Sequence, residues 1–239
     1  MSLAATYRLG SRLFWRDKAS LFASVLTPVG LAVGMPTLMR HVTSGGVAFA
    51  TTTFQGTLAI ILSITAFMNV AVALSGRRDQ LVLKRLRAST LTDAQIIAGQ
   101  VAGTAVPTFA LIVACAVAVR FLAGVPLPDD PLLFAAVTLA GSVVLALLGA
   151  AYTAAIPRAE LAAVFTMPLF LVAGVAAGAM GPIPLPSWLS LVLDQLPTSA
   201  VVHAVRTGEA LPALLNLAAW AVVGLVAIRL RFRWEPRRS

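Results

Sequence analysis

Two groups of residues in the sequence could do chemistry, and both favour recognition over bond-making. In the first, Arg77, Arg78 and Asp79 precede Lys84, Arg85 and Arg87, with Leu83 and Leu86 interleaved. Guanidinium groups stay charged, so this stretch is strongly basic and too polar to enter a bilayer. In the second, Trp188, Asp194, His203, Arg206 and Glu209 share one segment, and His203 and Arg206 fall on one helix face. They read as an external gate or as a solvated lip. Neutral polar residues Gln55, Asn69, Gln100 and Asn216 lie within apolar runs. Each could contact a passing solute along a translocation path or hydrogen-bond between helices.

Other chemistries lack their residues. There is no Gly-rich phosphate loop, so the chain does not bind ATP by that route. No HExxH or paired-cysteine set is present, and no metal site is expected. Cys115 is the single cysteine and excludes an intrachain disulfide. No span holds two carboxylates, which argues against a proton-driven pump or an intramembrane protease. No catalytic residue is expected, and the chain does not read as an enzyme.

The elements that must position these residues are transmembrane. Of 239 residues, 59% are hydrophobic and 11% charged, where soluble domains carry about 25% charged. The mean hydropathy is +0.91. So much apolar surface needs lipid as its solvent. A net charge of +9 could signal nucleic acid, but the charges sit in patches between apolar runs, so no nucleic-acid partner is expected.

An all-α integral membrane fold follows, one membrane domain over residues 1–239. Six runs are long enough to span: Ala19–Met39, Phe54–Gly76, Gln95–Phe121, Leu132–Ile156, Leu161–Met180 and Pro212–Leu230. They are continuous, whereas barrel strands would be short and alternating. The first starts after a long charged stretch and does not read as a cleavable signal. Fifteen of the 18 Lys and Arg fall in the N-terminus, the second and fourth connections and the tail, against three elsewhere. This places both termini in the cytoplasm. Within residues 1–18, Arg8, Arg12 and Arg16 form one stripe opposite Leu9 and Leu13. That segment reads as an interfacial amphipathic helix against membrane lipid.

The second connection, 77–94, is too polar to span. Gly76 offers the bend where the helix leaves the membrane, a short helix lies across the surface, and Thr92 or Ser89 caps the next span. In the external segment 181–211, Ser187 is expected to cap one short helix. A second runs from Ser199 to Thr207 and stops at Gly208. The pair reads as re-entrant. Gly30–Gly34, Gly99–Gly103 and Gly174–Gly178 have small-xxx-small spacing, which suits close helix packing or a dimer seam.

Residues 75–100, SGRRDQLVLKRLRASTLTDAQIIAGQ, resemble the cytoplasmic segment of the type-2 ATP-binding-cassette exporter permeases. That family includes bacterial drug-resistance and polysaccharide-export permeases. Arg78 and Asp79 match its Arg-Glu pair, residues 84–88 its basic stretch, and Gly99 its later glycine. Leu81 stands at the family's glycine, Thr90 at its proline and Gln100 at its lysine. In the external stretch Pro184–Arg206, Leu-Pro-x-Trp-Leu, a later Leu-Pro and a closing Ala-x-Arg look like the family's segment before the last span.

The resemblance implies a permease subunit of the bacterial inner membrane, exporting a hydrophobic or amphipathic small molecule such as a drug or lipid-like compound. Segment 77–90 would be the coupling helix, with Leu83 and Leu86 as apolar anchors. ATP and Mg would sit on a separate ATPase, present in two copies, serving two permease chains. An ion-coupled secondary carrier, a membrane enzyme and an assembly factor are the alternatives. The first should show inverted repeats and the others a convergent polar site within the spans.

Overall fold

The computed structural model describes residues 26–44, 47–88, 92–179, 185–232 and 234. The expected interfacial helix, with Arg8, Arg12 and Arg16, lies outside the described residues, as does the start of the first span. The described part of that span, α1, is α-helical over Thr27–Val29, π-helical over Gly30–Gly34 and α-helical over Met35–Leu38. A two-residue antiparallel pairing, Thr43–Ser44 with Val47–Ala48, follows.

Five helices among the described residues are long and apolar enough to cross a membrane. They are α2 (Phe49–Asp79), α4 (Asp93–Ala123), α5 (Pro131–Tyr152), α6 (Ala162–Ala176, entered by a 3-10 turn over Ala159–Leu161) and α9 (Ala210–Arg231). Each overlaps an expected span. The protein is a multi-pass, all-α membrane protein. Among the described residues there are also three shorter helices after α2: α3 (Val82–Arg87), α7 (Ser187–Asp194) and α8 (Pro197–Thr207).

Local chemistry explains the helix starts. Thr92 opens α4 with a capping box: its hydroxyl accepts from Gln95 N at 3.3 Å, and Gln95 Oε1 accepts from Thr92 N at 3.0 Å. Asp130 caps α5, its Oδ1 accepting from the Leu132 and Leu133 amides at 2.9 Å, with Pro131 at the first helical position.

Helices α2 and α5 form the centre. In their most apolar windows 67% and 56% of residues are buried, against 17–33% in the other three spans. α5 packs along α9, α4, α2 and α8, while α6 leans on α2. The contact between α2 and α5 is close because of Gly149. A Cβ there would collide with the Phe67 carbonyl, inside a π-helical stretch of α2 over Leu62–Met68. Gly56 is the second such point, where a Cβ would come within 2.9 Å of Ala179 Cα. Four of the six glycines expected from spacing make no such close approach within the chain. A Cβ at Gly30, Gly34, Gly99 or Gly103 would meet nothing within 4 Å. Spacing reports which glycines share a helix face, and the neighbouring backbone decides whether that face is approached.

Three further expectations change. Helix α2 continues through Gly76 to Asp79, and the bend comes later, at Leu81. Ser187 is the first residue of α7, with Pro186 at the N-cap. α8 starts at Pro197 instead of Ser199, because proline fits the first helical turn, and it ends on Gly208 at φ 78° as expected.

Candidate functional site

Helix α2 has 31 residues, about 46 Å at 1.5 Å per residue, which exceeds a hydrocarbon core of about 30 Å. Its ends therefore project from the apolar layer, and Arg77, Arg78 and Asp79 lie in its last turn. The chain then reverses through Gln80 and Leu81 into α3. Leu81 has φ 58° and ψ 15°, the left-handed region, and is the one non-glycine residue with positive φ among those described. This position follows a helix end, where a left-handed residue is usual and glycine is favoured. A leucine there carries strain of about 1–2 kcal/mol.

Arg78 is 2% exposed. Its Nη1 donates to the Thr153 carbonyl at 3.1 Å and its Nη2 to the Pro157 carbonyl at 3.2 Å. Its Nε pairs with Asp79 Oδ1 at 3.1 Å. Asp79 Oδ2 in turn accepts from the Ala159 amide at 2.7 Å, where the chain turns into α6. The buried charge is thereby neutralised and hydrogen-bonded, which burial of a guanidinium requires. Together Arg78 and Asp79 clamp the end of α2 to the α5–α6 connection. Arg78 is therefore turned inward, away from the surface position expected for a docking residue.

Leu83 is also turned inward, 1% exposed within the main apolar core, so it holds α3 to the bundle and is not a surface anchor. Leu86 is half-buried against that core. The outer side of α3 carries Leu81, Lys84, Arg85 and Arg87. Arg87 pairs with Asp93 at 3.2 Å, across the turn into α4, and its guanidinium sits 5.3 Å from the Trp234 ring centroid. Trp234 packs edge-on against Phe232, centroids 4.9 Å apart. The residues after α9 thus cover part of α3. These contacts bring the second connection, the fourth connection and the tail, all expected on one side from their charge, to one basic end of the bundle.

The expected path residues are dispersed. Gln100 Oε1 accepts a hydrogen bond from Arg77, which ties α2 to α4 at the basic end, an interhelical bond of the kind offered as the alternative to a path role. Gln55 and Asn69 are half-buried on α2, and Asn69 is the first α-helical residue after the π-helical stretch.

At the opposite end, Trp188 is 67% exposed, and Asp194 and His203 are also exposed. Arg206 does not meet them. Its Nη2 donates to the Ala177 carbonyl at 2.9 Å, at the C-terminus of α6, where the helix dipole favours a cation. Partial burial lowers its pKa from the usual arginine value. Asn216 Nδ2 and Trp220 Nε1, one turn apart on α9, donate to the Gln195 carbonyl at 3.0 and 2.8 Å and so pin the α7–α8 turn. The i, i+4 spacing of Asn216 and Trp220 was readable, but their shared acceptor was not.

A comparison with curated proteins gives no match. The family model for the ABC-2 type transporter matches residues 3–210. That range includes the Arg78–Asp79 clamp, the reversal at Leu81, α3 and the α7–α8 pair. The chain belongs to the ABC-2 type transporter family.

Proposed function

We propose that this chain is the membrane-spanning permease of an ATP-driven exporter and that α3 is its coupling helix. The basic end lies in the cytoplasm of a bacterial inner membrane. Two ATPase subunits, which hold ATP and Mg, dock there on two permease chains of identical or different sequence. The observation that carries this reading is the division of α3 into two sides. Leu83 locks it to the bundle, while Leu81 and Arg85 face outward. A helix laid in a groove needs one face free and one face anchored to transmit force.

Transmission follows from the clamp. A push on α3 reaches the end of α2, and Arg78 and Asp79 pass it to the α5–α6 connection and to the start of α6. The ATPase cycle would thus bias α6 and α2 between two arrangements. The spans are mostly apolar, which suits a hydrophobic or amphipathic cargo, such as a drug or lipid-like compound, leaving through the seam between permeases.

Arg85→Glu reverses charge on the outward side and touches no internal contact named above. Co-purification with the ATPase and its nucleotide turnover in proteoliposomes are expected to fall by at least about tenfold, since one reversed ion pair at an interface costs roughly 1.4 kcal/mol or more. Membrane insertion and melting temperature should stay unchanged. Normal association and turnover in Arg85→Glu would defeat the coupling reading.

A further inference from the structure

Helix α6 leans on α2 and does not pack closely on α5 or α9, while α9 lies along α5. Between them is a cleft of about 660 Å³. Its floor is the π-helical stretch of α2, through Ser63 and Phe67, and its walls include Val172 of α6 and Trp220 of α9. The α7–α8 turn borders it at one end through Leu196 and Pro197, and Arg231 at the basic end. Leu169 and Val172 both line the cleft and are 41% and 42% exposed, so it opens sideways, toward the hydrocarbon of the bilayer.

We infer that this cleft is a binding site for one anionic phospholipid, with an acyl chain along α9 and the phosphate at Arg231. Three observations support that occupant. The volume falls in the range of ligand pockets, about 300–1,000 Å³. A transmembrane helix about 10 Å across would need more than roughly 1,000 Å³ over 15 Å of its length, so a second copy of the chain does not fit inside. The lining is almost wholly apolar, and its one formal charge is a cation at the end where basic residues collect. Anionic headgroups favour such basic pockets between helices at the cytoplasmic face. The inference rests on the proposed orientation for the identity of that leaflet and not on the ATPase partner.

The test uses the full chain with Trp15, Trp188 and Trp234 replaced by Phe, which leaves Trp220 as a reporter in the cleft. The protein is reconstituted in phosphatidylcholine vesicles doped with either phosphatidylglycerol or phosphatidylcholine brominated on its acyl chains. At equal mole fraction the anionic brominated lipid should quench Trp220 about fivefold more effectively, the factor expected for one cation near the surface. Arg231→Gln should remove that preference. Arg229→Gln, in the same last turn but outside the cleft lining, should keep it. Ala227→Phe, which fills the cleft, should lower quenching by both lipids.

Equal quenching by both lipids in the parent chain overturns the inference, as does a preference that survives Arg231→Gln. Equal losses in Arg229→Gln and Arg231→Gln would mark diffuse surface charge and also overturn it. So would quenching that rises as the protein is diluted in the bilayer, the sign of a cleft covered by a second copy. Vesicles present lipid on both leaflets and the assay contains no ATPase. Its failure is therefore separate from failure of the exporter reading, which shows as lost ATPase association.

Discussion

The Arg78 guanidinium donates to the Thr153 carbonyl at 3.1 Å and so links two basic-end connections that lie 75 positions apart in the chain. This bond joins the end of α2 to the α5–α6 connection, and the Ala159 amide donating to Asp79 extends the link to the start of α6. Arg78→Met removes it together with the bond to Pro157 and leaves Asp79 with the Ala159 amide but no ion-pair partner. A loss of about 3 kcal/mol is expected, as when one member of a buried pair is removed. Thermal melting in detergent checks it, and an unchanged transition would show that the clamp is not structural.

The strain at Leu81 sets up a pair of opposite outcomes. Leu81→Gly relieves the left-handed penalty of about 1–2 kcal/mol but returns about 0.4–1 kcal/mol through a freer unfolded chain. A net gain of about 0–1.6 kcal/mol is expected. Leu81→Val, β-branched, should lose stability. Chemical denaturation of both variants reads the sign, and equal shifts would contradict the assigned backbone conformation.

Two glycines separate close packing from mere spacing. Gly149→Ala drives a methyl into the Phe67 backbone and should cost about 1–3 kcal/mol. Gly103→Ala meets open space and should be neutral or gain up to about 1 kcal/mol from helix propensity. Folded yield and melting temperature of the two variants, measured side by side, give the comparison.

Trp234 holds Arg87 from one side while Asp93 holds it from the other. Trp234→Ala removes a cation–π contact of about 0.5–1 kcal/mol. ATPase stimulation by the permease should fall by a few-fold, with little change in melting temperature. Trp234→Phe should retain most of the stimulation. If Phe and Ala lose equally, the ring's role over Arg87 is refuted.

Most of the architecture was legible in the sequence because the bilayer imposes it. A span must be about 20 apolar residues, so six runs are visible by length alone, and five of them coincide with long apolar helices among the described residues. Charge gathers at one end because basic connections are retained on one side. Caps at Thr92, Asp130 and Gly208 are local, set by hydrogen bonds within a few residues, and Thr92 and Gly208 could be read directly from the chain.

What the tertiary structure alone decided is which side of each basic residue faces the protein. Arg77, Arg78, Arg85 and Arg87 look alike in the sequence, yet one bonds Gln100, one is buried on two carbonyls, one faces outward and one sits against Trp234. Their partners lie in other helices or beyond the last span, so no local pattern encodes them. The bend at Leu81 was hidden because leucine carries no turn signal. Leu81 lies between the clamped Arg78–Asp79 pair and the buried Leu83, both fixed by contacts distant in sequence. The cleft beside α6 likewise exists only because α6 leans on α2 and leaves α9, a choice made by packing and not by hydropathy.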